Sequence, residues 1–351
     1  MKGFVLRQDP IEQEMGSCFM RRALELAAMG GGRVSPNPFV GAVITAGGRI
    51  IGEGYHRSYG EAHAEVNAVA SVRDADRTLL RDSTMYVTLE PCSHFGKTPP
   101  CADLIVRTGI PRVIVATEDP FLKDRESGIG RMRNAGVEVE IGLMERESRW
   151  LNRRFFTAHT LKRPFVLLKW AMSADGYMAG RGGTPVKLST PFTQVLMHKE
   201  RSLYDAIMVG TDTVLIDNPR LDCRLWPTRK PAERPLKITF DSARLKGDSL
   251  LEKGNLIKMR RDETHAEFLS RLYRDFKIIS LMVEGGRKTL DSFIEAGLYD
   301  EIRVETAEIN LGDGVKAPCP AAAVRGRELK AVKTFESDGN IITTYSREVR
   351  I

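Results

Sequence analysis

His63-Ala-Glu-Val-Asn67, followed by Glu90-Pro-Cys-Ser-His-Phe-Gly-Lys-Thr-Pro-Pro-Cys101, is the part of this chain whose reading decides the fold of its first half. His63, Cys92 and Cys101 offer an imidazole and two thiolates, a donor set that suits zinc, and three protein ligands leave a fourth position for water. A metal held there lowers the pKa of that water towards neutrality. Glu65, two residues from the histidine and not itself a ligand, is then placed to carry protons. Cys101 follows Cys92 by nine positions, so Gly96-Lys-Thr-Pro-Pro100 forms a loop at the metal, a natural place for substrate contacts. A lone H-x-E is more simply a packed core histidine, with the cysteines as ordinary buried thiols. Here Glu90-Pro91-Cys92 ends an apolar run and a second cysteine follows, which favours the metal. A purely structural zinc would want a fourth ligand, for which His94 is the nearby candidate.

With 351 residues the chain exceeds the usual single-domain size, and two domains are expected. The composition, 42% hydrophobic and 28% charged, is that of a globular protein. No apolar run approaches the roughly eighteen residues of a membrane span, and no signal peptide is read at the start, so no membrane partner is expected. Five cysteines (Cys18, Cys92, Cys101, Cys223, Cys319) form an odd, sparse set that fits a reducing cytoplasm better than a disulfide scaffold. A net charge of +7 favours an anionic partner, a phosphorylated small molecule or a nucleic acid.

Residues 1–14 are polar and read as a flexible N-terminus. Ser17–Met29 has helical spacing, ending at Gly30-Gly31-Gly32. Strands are expected at Ala42–Ile44, Ile50–Gly54, Thr84–Leu89, Arg112–Thr117 and Val137–Ile141, with helices over Ala62–Val72, Cys101–Thr108 and Gly128–Asn134. His63 and Glu65 thus fall in a first helical turn and Cys101 near a helix start, where a negative charge is favoured. Residues 145–163 read as a charged helix and crossover, the domain boundary. Beyond it come strands Phe165–Met172, Ala206–Val209, Leu236–Phe240, Ile278–Val283, Glu301–Glu305 and Ile341–Tyr345, with helices Phe192–Arg201 and Leu290–Ala296, a second α/β domain.

H-x-E with P-C-x-x-C is a known signature of zinc nucleobase deaminases; this chain has His63-x-Glu65 and Pro91-Cys92 but departs from it in placing the second cysteine nine positions on, where the signature has three. Pro36-Asn-Pro-Phe-Val-Gly41, Gly52-Glu-Gly-Tyr-His56 and Gly60-Glu-Ala-His-Ala-Glu65, with the Glu90–Cys101 loop, resemble the deaminase half of the bifunctional riboflavin-biosynthesis deaminase–reductase family. Arg163-Pro-Phe-Val-Leu-Leu-Lys169, Ser173-Ala-Asp-Gly176, Asp205-Ala-Ile-Met-Val-Gly-Thr-Asp-Thr213, Leu215-Ile-Asp-Asn-Pro219, Leu221-Asp-Cys-Arg224 and Val283-Glu-Gly-Gly286 resemble its reductase half. The resemblance implies a cytidine-deaminase-like three-layer α/β/α domain over 15–150, a linker over 151–163 and a dihydrofolate-reductase-like α/β domain over 164–351. It also implies the chemistry. The first domain would remove the 2-amino group of 2,5-diamino-6-(5-phosphoribosylamino)pyrimidin-4-one; the second would reduce the ribosyl chain of the product to ribityl with NADPH.

By the same resemblance Asn37, His56, Lys97 and Thr98 line the deaminase pocket around zinc. Ala171, Thr213, Asp217, Gly286, Arg287 and Lys288 would hold NADPH, and Arg201, Leu221, Arg224 and Glu284 the phosphoribosyl substrate. Asp217 is the candidate proton donor of the reduction. No G-x-G-x-x-G follows a strand, so a Rossmann site is not indicated; glycines at a helix start with nearby cations suit a pyrophosphate instead. One departure stands out. Where the family commonly has Ser-x-Trp-Ile-Ser/Thr, this chain has Pro185-Val-Lys-Leu-Ser189, and Lys187 is expected to meet a cofactor phosphate, with Thr184 supplying a hydroxyl nearby. A nucleic-acid deaminase needs a basic groove with stacking aromatics, whereas aromatics are 7% and the cations are scattered, so no nucleic-acid partner is expected. A non-catalytic zinc module would have no use for Glu65. The expected partners are a phosphorylated pyrimidine and a second copy of the chain.

Overall fold

The computed structural model describes residues 10–95, 99–120, 127–227, 235–245, 256–319 and 329–347, with side chains from residue 14 onward. Two compact units divide between Thr160 and Leu161.

The first unit runs α1 (Pro10–Ala28), β1 (Gly41–Ala46), β2 (Arg49–Tyr55), α2 (Ala64–Ala70), β3 (Thr84–Val87), α3 (Cys101–Thr108), β4 (Arg112–Val115), α4 (Gly128–Asn134), β5 (Glu138–Ile141), α5 (Glu145–Leu151) and α6 (Arg153–Leu161). Its five-stranded sheet has the order β2-β1-β3-β4-β5; β1 pairs antiparallel with β2 and β3, while β3, β4 and β5 are parallel. Side-chain alternation sorts the core into two faces. Ala42, Ile44, Met85, Val87, Val113 and Val115 pack with Ala64, Ala68, Ala102, Ile105, Ile129 and Met132 from α2, α3 and α4. Val43, Tyr86 and Ile114 pack with Met20, Ala23 and Leu26 from α1 on the other face. That is the three-layer α/β/α arrangement. Each Val, Leu, Ile or Met side chain fully buried in this way contributes roughly 1.5–3 kcal/mol.

The first helix starts at Pro10, seven residues before the expected Ser17, so residues 10–14 are helical and not an irregular N-terminus. The expected crossover at 151–163 is helical over most of its length. Phe155 and Phe156 of α6 are buried with Leu89 of the first unit, which explains why two aromatics stand in a stretch that otherwise reads as charged.

The second unit contains β6 (Phe165–Met172), β7 (Tyr177–Ala179), α7 (Pro191–Arg201), β8 (Ala206–Met208), α8 (Thr211–Asp217), β9 (Leu236–Phe240), β10 (Leu256–Met259), α9 (His265–Phe276), β11 (Ser280–Val283), α10 (Arg287–Ala296), β12 (Glu301–Thr306), β13 (Val315–Lys316), β14 (Leu329–Ser337) and β15 (Asn340–Arg347). Its eight-stranded sheet is ordered β10-β9-β8-β11-β6-β12-β15-β14, parallel from β10 to β12 and antiparallel thereafter. The central strands are buried on both faces, as a parallel sheet requires. Val166, Leu168, Met208, Leu281 and Val283 meet Phe268, Leu272, Leu290 and Phe293 of α9 and α10. Phe165, Leu167, Ile207 and Met282 meet Met197 and Val214 of α7 and α8.

Candidate functional sites

His63 is the N-cap of α2 and Cys101 the first residue of α3, while Cys92 sits in the loop that β3 feeds. His63 Nδ1 lies 3.6 Å from Cys92 Sγ and 3.4 Å from Cys101 Sγ. A tetrahedral zinc with ordinary Zn–N and Zn–S bonds would set these separations at about 3.6 Å. Among the described residues, the group able to hold a metal is His63, Cys92 and Cys101, with all ligand atoms within 4.8 Å of one another. His94 is exposed and stands outside this group, so the fourth ligand of a closed structural site is not supplied. The backbone N–H of Cys101 donates to Cys92 Sγ at 3.3 Å, and the Cys101 thiol, with His63, holds the Cys92 thiol down to about 4.

Glu65 follows in the first turn of α2. Its side chain is 3% exposed, and Oε2 is buried without a hydrogen-bond partner. Burial, reinforced by the neighbouring Cys92 thiolate, pushes the carboxyl up to about 7. A buried, unpartnered carboxylate oxygen beside an N/S/S donor set fits a site built to receive a metal and to exchange protons with something that enters it.

Asn37 and His56 converge on the same place. The His56 ring meets His63 edge-on, with centroids 5.4 Å apart. Its Nδ1 donates to the Ala62 carbonyl at 3.1 Å, so Nε2 accepts from Asn37 Nδ2, also at 3.1 Å. Burial holds this imidazole in its neutral form. His56 is 2% exposed and both ring nitrogens are engaged, so it orients Asn37, whose Oδ1 is left for a ligand. Lys97 and Thr98 lie outside the described residues.

The support of this site was only partly visible in the sequence. Buried Glu90 accepts from the Asp119 and Ile129 N–H groups and from the Ser127 hydroxyl, tying the Cys92 loop to the start of α4. Asn152 clamps Phe39 through both its amide atoms, donating to the carbonyl at 2.9 Å and accepting from the N–H at 2.7 Å, which fixes the Asn37 turn. Neither contact has a sequence signature, because both join segments far apart in the chain.

In the second unit a cleft of about 1140 Å³ opens at the carboxyl ends of β8, β9 and β11, where ligands bind in open α/β sheets. Thr213, Asp217, Glu284, Gly286, Arg287 and Lys288 line it. Gly286 precedes α10 at φ +68, and a Cβ there would stand 3.2 Å from the Thr213 hydroxyl, so this floor admits a close backbone approach. Ala171, Lys187, Arg201, Leu221 and Arg224 do not line the cleft. Lys187 is exposed, and Pro185 and Val186 form the wall instead. Arg201 pairs with Glu284 through two hydrogen bonds and reaches the Asp222 carbonyl, while Arg224 pairs with Asp222 at the surface. Asp241, Ser242 and Arg244, beyond β9, also line the cleft and were not foreseen. Lys169, buried in β6, has its ammonium pKa lowered chiefly by burial, against the pull of Glu284 and Glu305.

Two sites of different design therefore lie in two compact units, an N/S/S cluster beside a buried carboxylate and a glycine-floored, cation-flanked cleft. The chain is accordingly a two-domain enzyme with a hydrolytic deaminase half and a reductase half. Residues 13–117 match the cytidine and deoxycytidylate deaminase zinc-binding region, and residues 164–343 match the RibD C-terminal domain. The riboflavin biosynthesis protein RibD of Aquifex aeolicus is 38% identical over 86% of this chain and 90% of its own length. A solved structure of the Thermotoga maritima diaminohydroxyphosphoribosylaminopyrimidine deaminase/5-amino-6-(5-phosphoribosylamino)uracil reductase is 35% identical and covers 96% of this chain and 99% of its own, with a TM-score of 0.85. Acinetobacter baumannii RibD matches with the same TM-score at 28% identity, covering 95% and 99% of the two chains. The chain belongs to the RibD family of bifunctional riboflavin-biosynthesis deaminase–reductases.

Proposed function

We propose that the first unit hydrolytically deaminates 2,5-diamino-6-(5-phosphoribosylamino)pyrimidin-4(3H)-one, and that the second reduces the ribosyl chain of the 5-amino-6-(5-phosphoribosylamino)uracil so formed to ribityl. The observation that carries the first step is the unpartnered, buried Glu65 Oε2 beside the His63–Cys92–Cys101 cluster. His63, Cys92 and Cys101 would hold zinc, which supplies activation of water near neutral pH. Glu65, with its pKa raised, can pass a proton from the attacking water to a ring nitrogen, then take the remaining hydroxyl proton and hand it to the departing amine. Asn37 Oδ1, aimed by His56, can accept from an N–H of the flat heterocycle.

For the second step, Gly285 and Gly286 at the start of α10, with Arg287 and Lys288, suit the pyrophosphate of NADPH, whose nicotinamide supplies the hydride. Lys187 is exposed beside Pro185 and Val186 of the cleft wall, from where its ammonium can meet a cofactor phosphate. Asp217, at the cleft rim, remains the candidate proton donor. The sparse, unpaired cysteines are in keeping with a cytoplasmic setting; among the described residues, no helix is long and apolar enough to cross a membrane.

The test supplies the diamino substrate and NADPH to zinc-assayed protein and follows ammonia release and NADPH absorbance together. Stoichiometric ammonia followed by NADPH oxidation is the expected result. Zinc-replete protein that releases no ammonia would overturn the deaminase assignment, and ammonia without NADPH oxidation would overturn the reductase assignment.

A further inference from the structure

The last turn of α7 grips the segment that follows α8 at three points. Arg201 Nη1 donates to the Asp222 carbonyl at 3.3 Å, and the Lys199 ammonium lies over the Trp226 ring, 4.9 Å from its centroid. The third grip is His198, 5% exposed, whose Nδ1 accepts the Leu225 backbone N–H at 3.4 Å. Leu221 closes the segment from its other end, buried in the core with φ at +49. Between these anchors stands Arg224, with a half-exposed guanidinium that pairs with the carboxylate of Asp222 at 2.6 Å. Arg201 is itself committed to Glu284.

An Nδ1 that accepts leaves the ring hydrogen on Nε2, so His198 is a neutral imidazole used as a fixed acceptor one residue from Arg224. Arg201 and Arg224 are each paired with a carboxylate, Glu284 and Asp222, and the Arg224 pair is the exposed one, so a phosphate dianion that took the place of Asp222 would meet two guanidinium groups. We infer that His198 is a positioning residue for the phosphate end of the reductase substrate, holding the Leu221–Trp226 segment so that Arg224 can leave Asp222 and meet the phosphate alongside Arg201. This rests on the reductase reading above and deepens it. Nothing in the hydride step needs His198, so its loss should separate phosphate recognition from chemistry.

The experiment compares wild type with His198→Leu, His198→Asn and His198→Gln in NADPH oxidation, using the 5′-phosphorylated uracil intermediate and the same compound after phosphatase treatment. Asparagine places an acceptor where Nδ1 stood; glutamine places one further out. In His198→Leu and His198→Gln, KM for the phosphorylated compound should rise about tenfold, the loss of one aligned charged contact. Their kcat, KM for NADPH and KM for the dephosphorylated compound should stay near wild type. His198→Asn should restore the phosphorylated KM. Calorimetric titration with ribitol 5-phosphate should show the same order of affinities without turnover. A wild-type phosphate preference that persists in His198→Leu, or equal rescue by asparagine and glutamine, would overturn the inference. The Asn/Gln pair decides if the leucine variant does not fold. A wild type with no preference for the phosphorylated compound would overturn both this inference and the phosphate reading of Arg201 and Arg224, whereas a wild type that oxidises no NADPH at all would overturn the reductase assignment itself.

Discussion

Arg201 and Glu284 face each other as a two-pronged pair, Nε to Oε1 at 2.7 Å and Nη2 to Oε2 at 2.6 Å, with both side chains largely out of water. Burial alone would raise the Glu284 carboxyl pKa, yet Arg201 and then Lys169 hold it below the usual value. Removing one member of a buried pair leaves an uncompensated charge, at a cost of about 3–5 kcal/mol. Arg201→Leu is expected to destabilise the reductase unit by about 3 kcal/mol, at the lower end because Lys169 still faces the carboxylate. Arg201→Leu combined with Glu284→Leu should recover part of that loss. Urea unfolding of Arg201→Leu, Glu284→Leu and the double variant closes the cycle; a loss in the double variant equal to the sum of the two single losses would mean that the pair is not coupled.

Lys169 gives the second unit a pH signature of definite sign. Its folded pKa is lowered from 10.5, chiefly by burial, so between the two values the unfolded chain binds more protons than the native one. Stability then rises with pH across that window, the slope following the proton difference. Lys169→Met removes the slope. Melting midpoints measured from about pH 7 to pH 10 should show wild type gaining on the variant as pH rises towards the ordinary lysine value. Two parallel curves would show that Lys169 is not desolvated in the native protein.

In the first unit the metal ligands and the proton carrier should separate by assay. Glu65→Gln keeps the shape of the side chain and removes its titration. It is expected to retain zinc while ammonia release falls by about 10²–10⁴, the usual contribution of a placed acid–base group. Cys101→Ser or a strong chelator should lower the bound zinc and abolish ammonia release. NADPH oxidation started from the deaminated intermediate should continue in every case. Zinc loss in Glu65→Gln would instead make Glu65 a structural support of the metal.

Much of this was legible because local chemistry and tertiary structure agree. Cys101–Thr108, Gly128–Asn134, Phe165–Met172 and Leu236–Phe240 read from the sequence with the bounds they have in the fold. The elements overlooked have particular causes. The strand β14 is exposed along most of its length at a sheet edge, so Leu329–Ser337 shows no clean alternation. The helix α9 does carry a local signal, since Thr264 and Glu267 form a capping box before an amphipathic run. The site residues divide the same way. The ligand spacing from His63 to Cys101 is a local pattern, whereas the hold of Glu90 on Ser127 and of Asn152 on Phe39 exists only once distant segments meet.

Gly128 is where the packing of the fold sets the geometry of the metal cluster most directly. It opens α4 behind the N-cap Ser127, and a Cβ at this position would collide with the carbonyl oxygen of Pro91, the residue before Cys92. Its φ is not in the left-handed region, so alanine strains no backbone angle and, by helix propensity, should favour α4 by roughly 0.5–1 kcal/mol. The collision must therefore be relieved by moving the Pro91–Cys92 loop, and Cys92 with it. Gly128→Ala is expected to weaken zinc binding by about ten- to a hundredfold, the range seen when the support of a ligand is disturbed. Ammonia release should fall in proportion when zinc is limiting and recover as zinc is added, with reductase activity untouched. Chelator competition measures the affinity and thermal unfolding measures the helix. Unchanged zinc affinity in a folded Gly128→Ala protein would mean that the loop absorbs the extra carbon without moving Cys92, and that Glu90 alone sets its position.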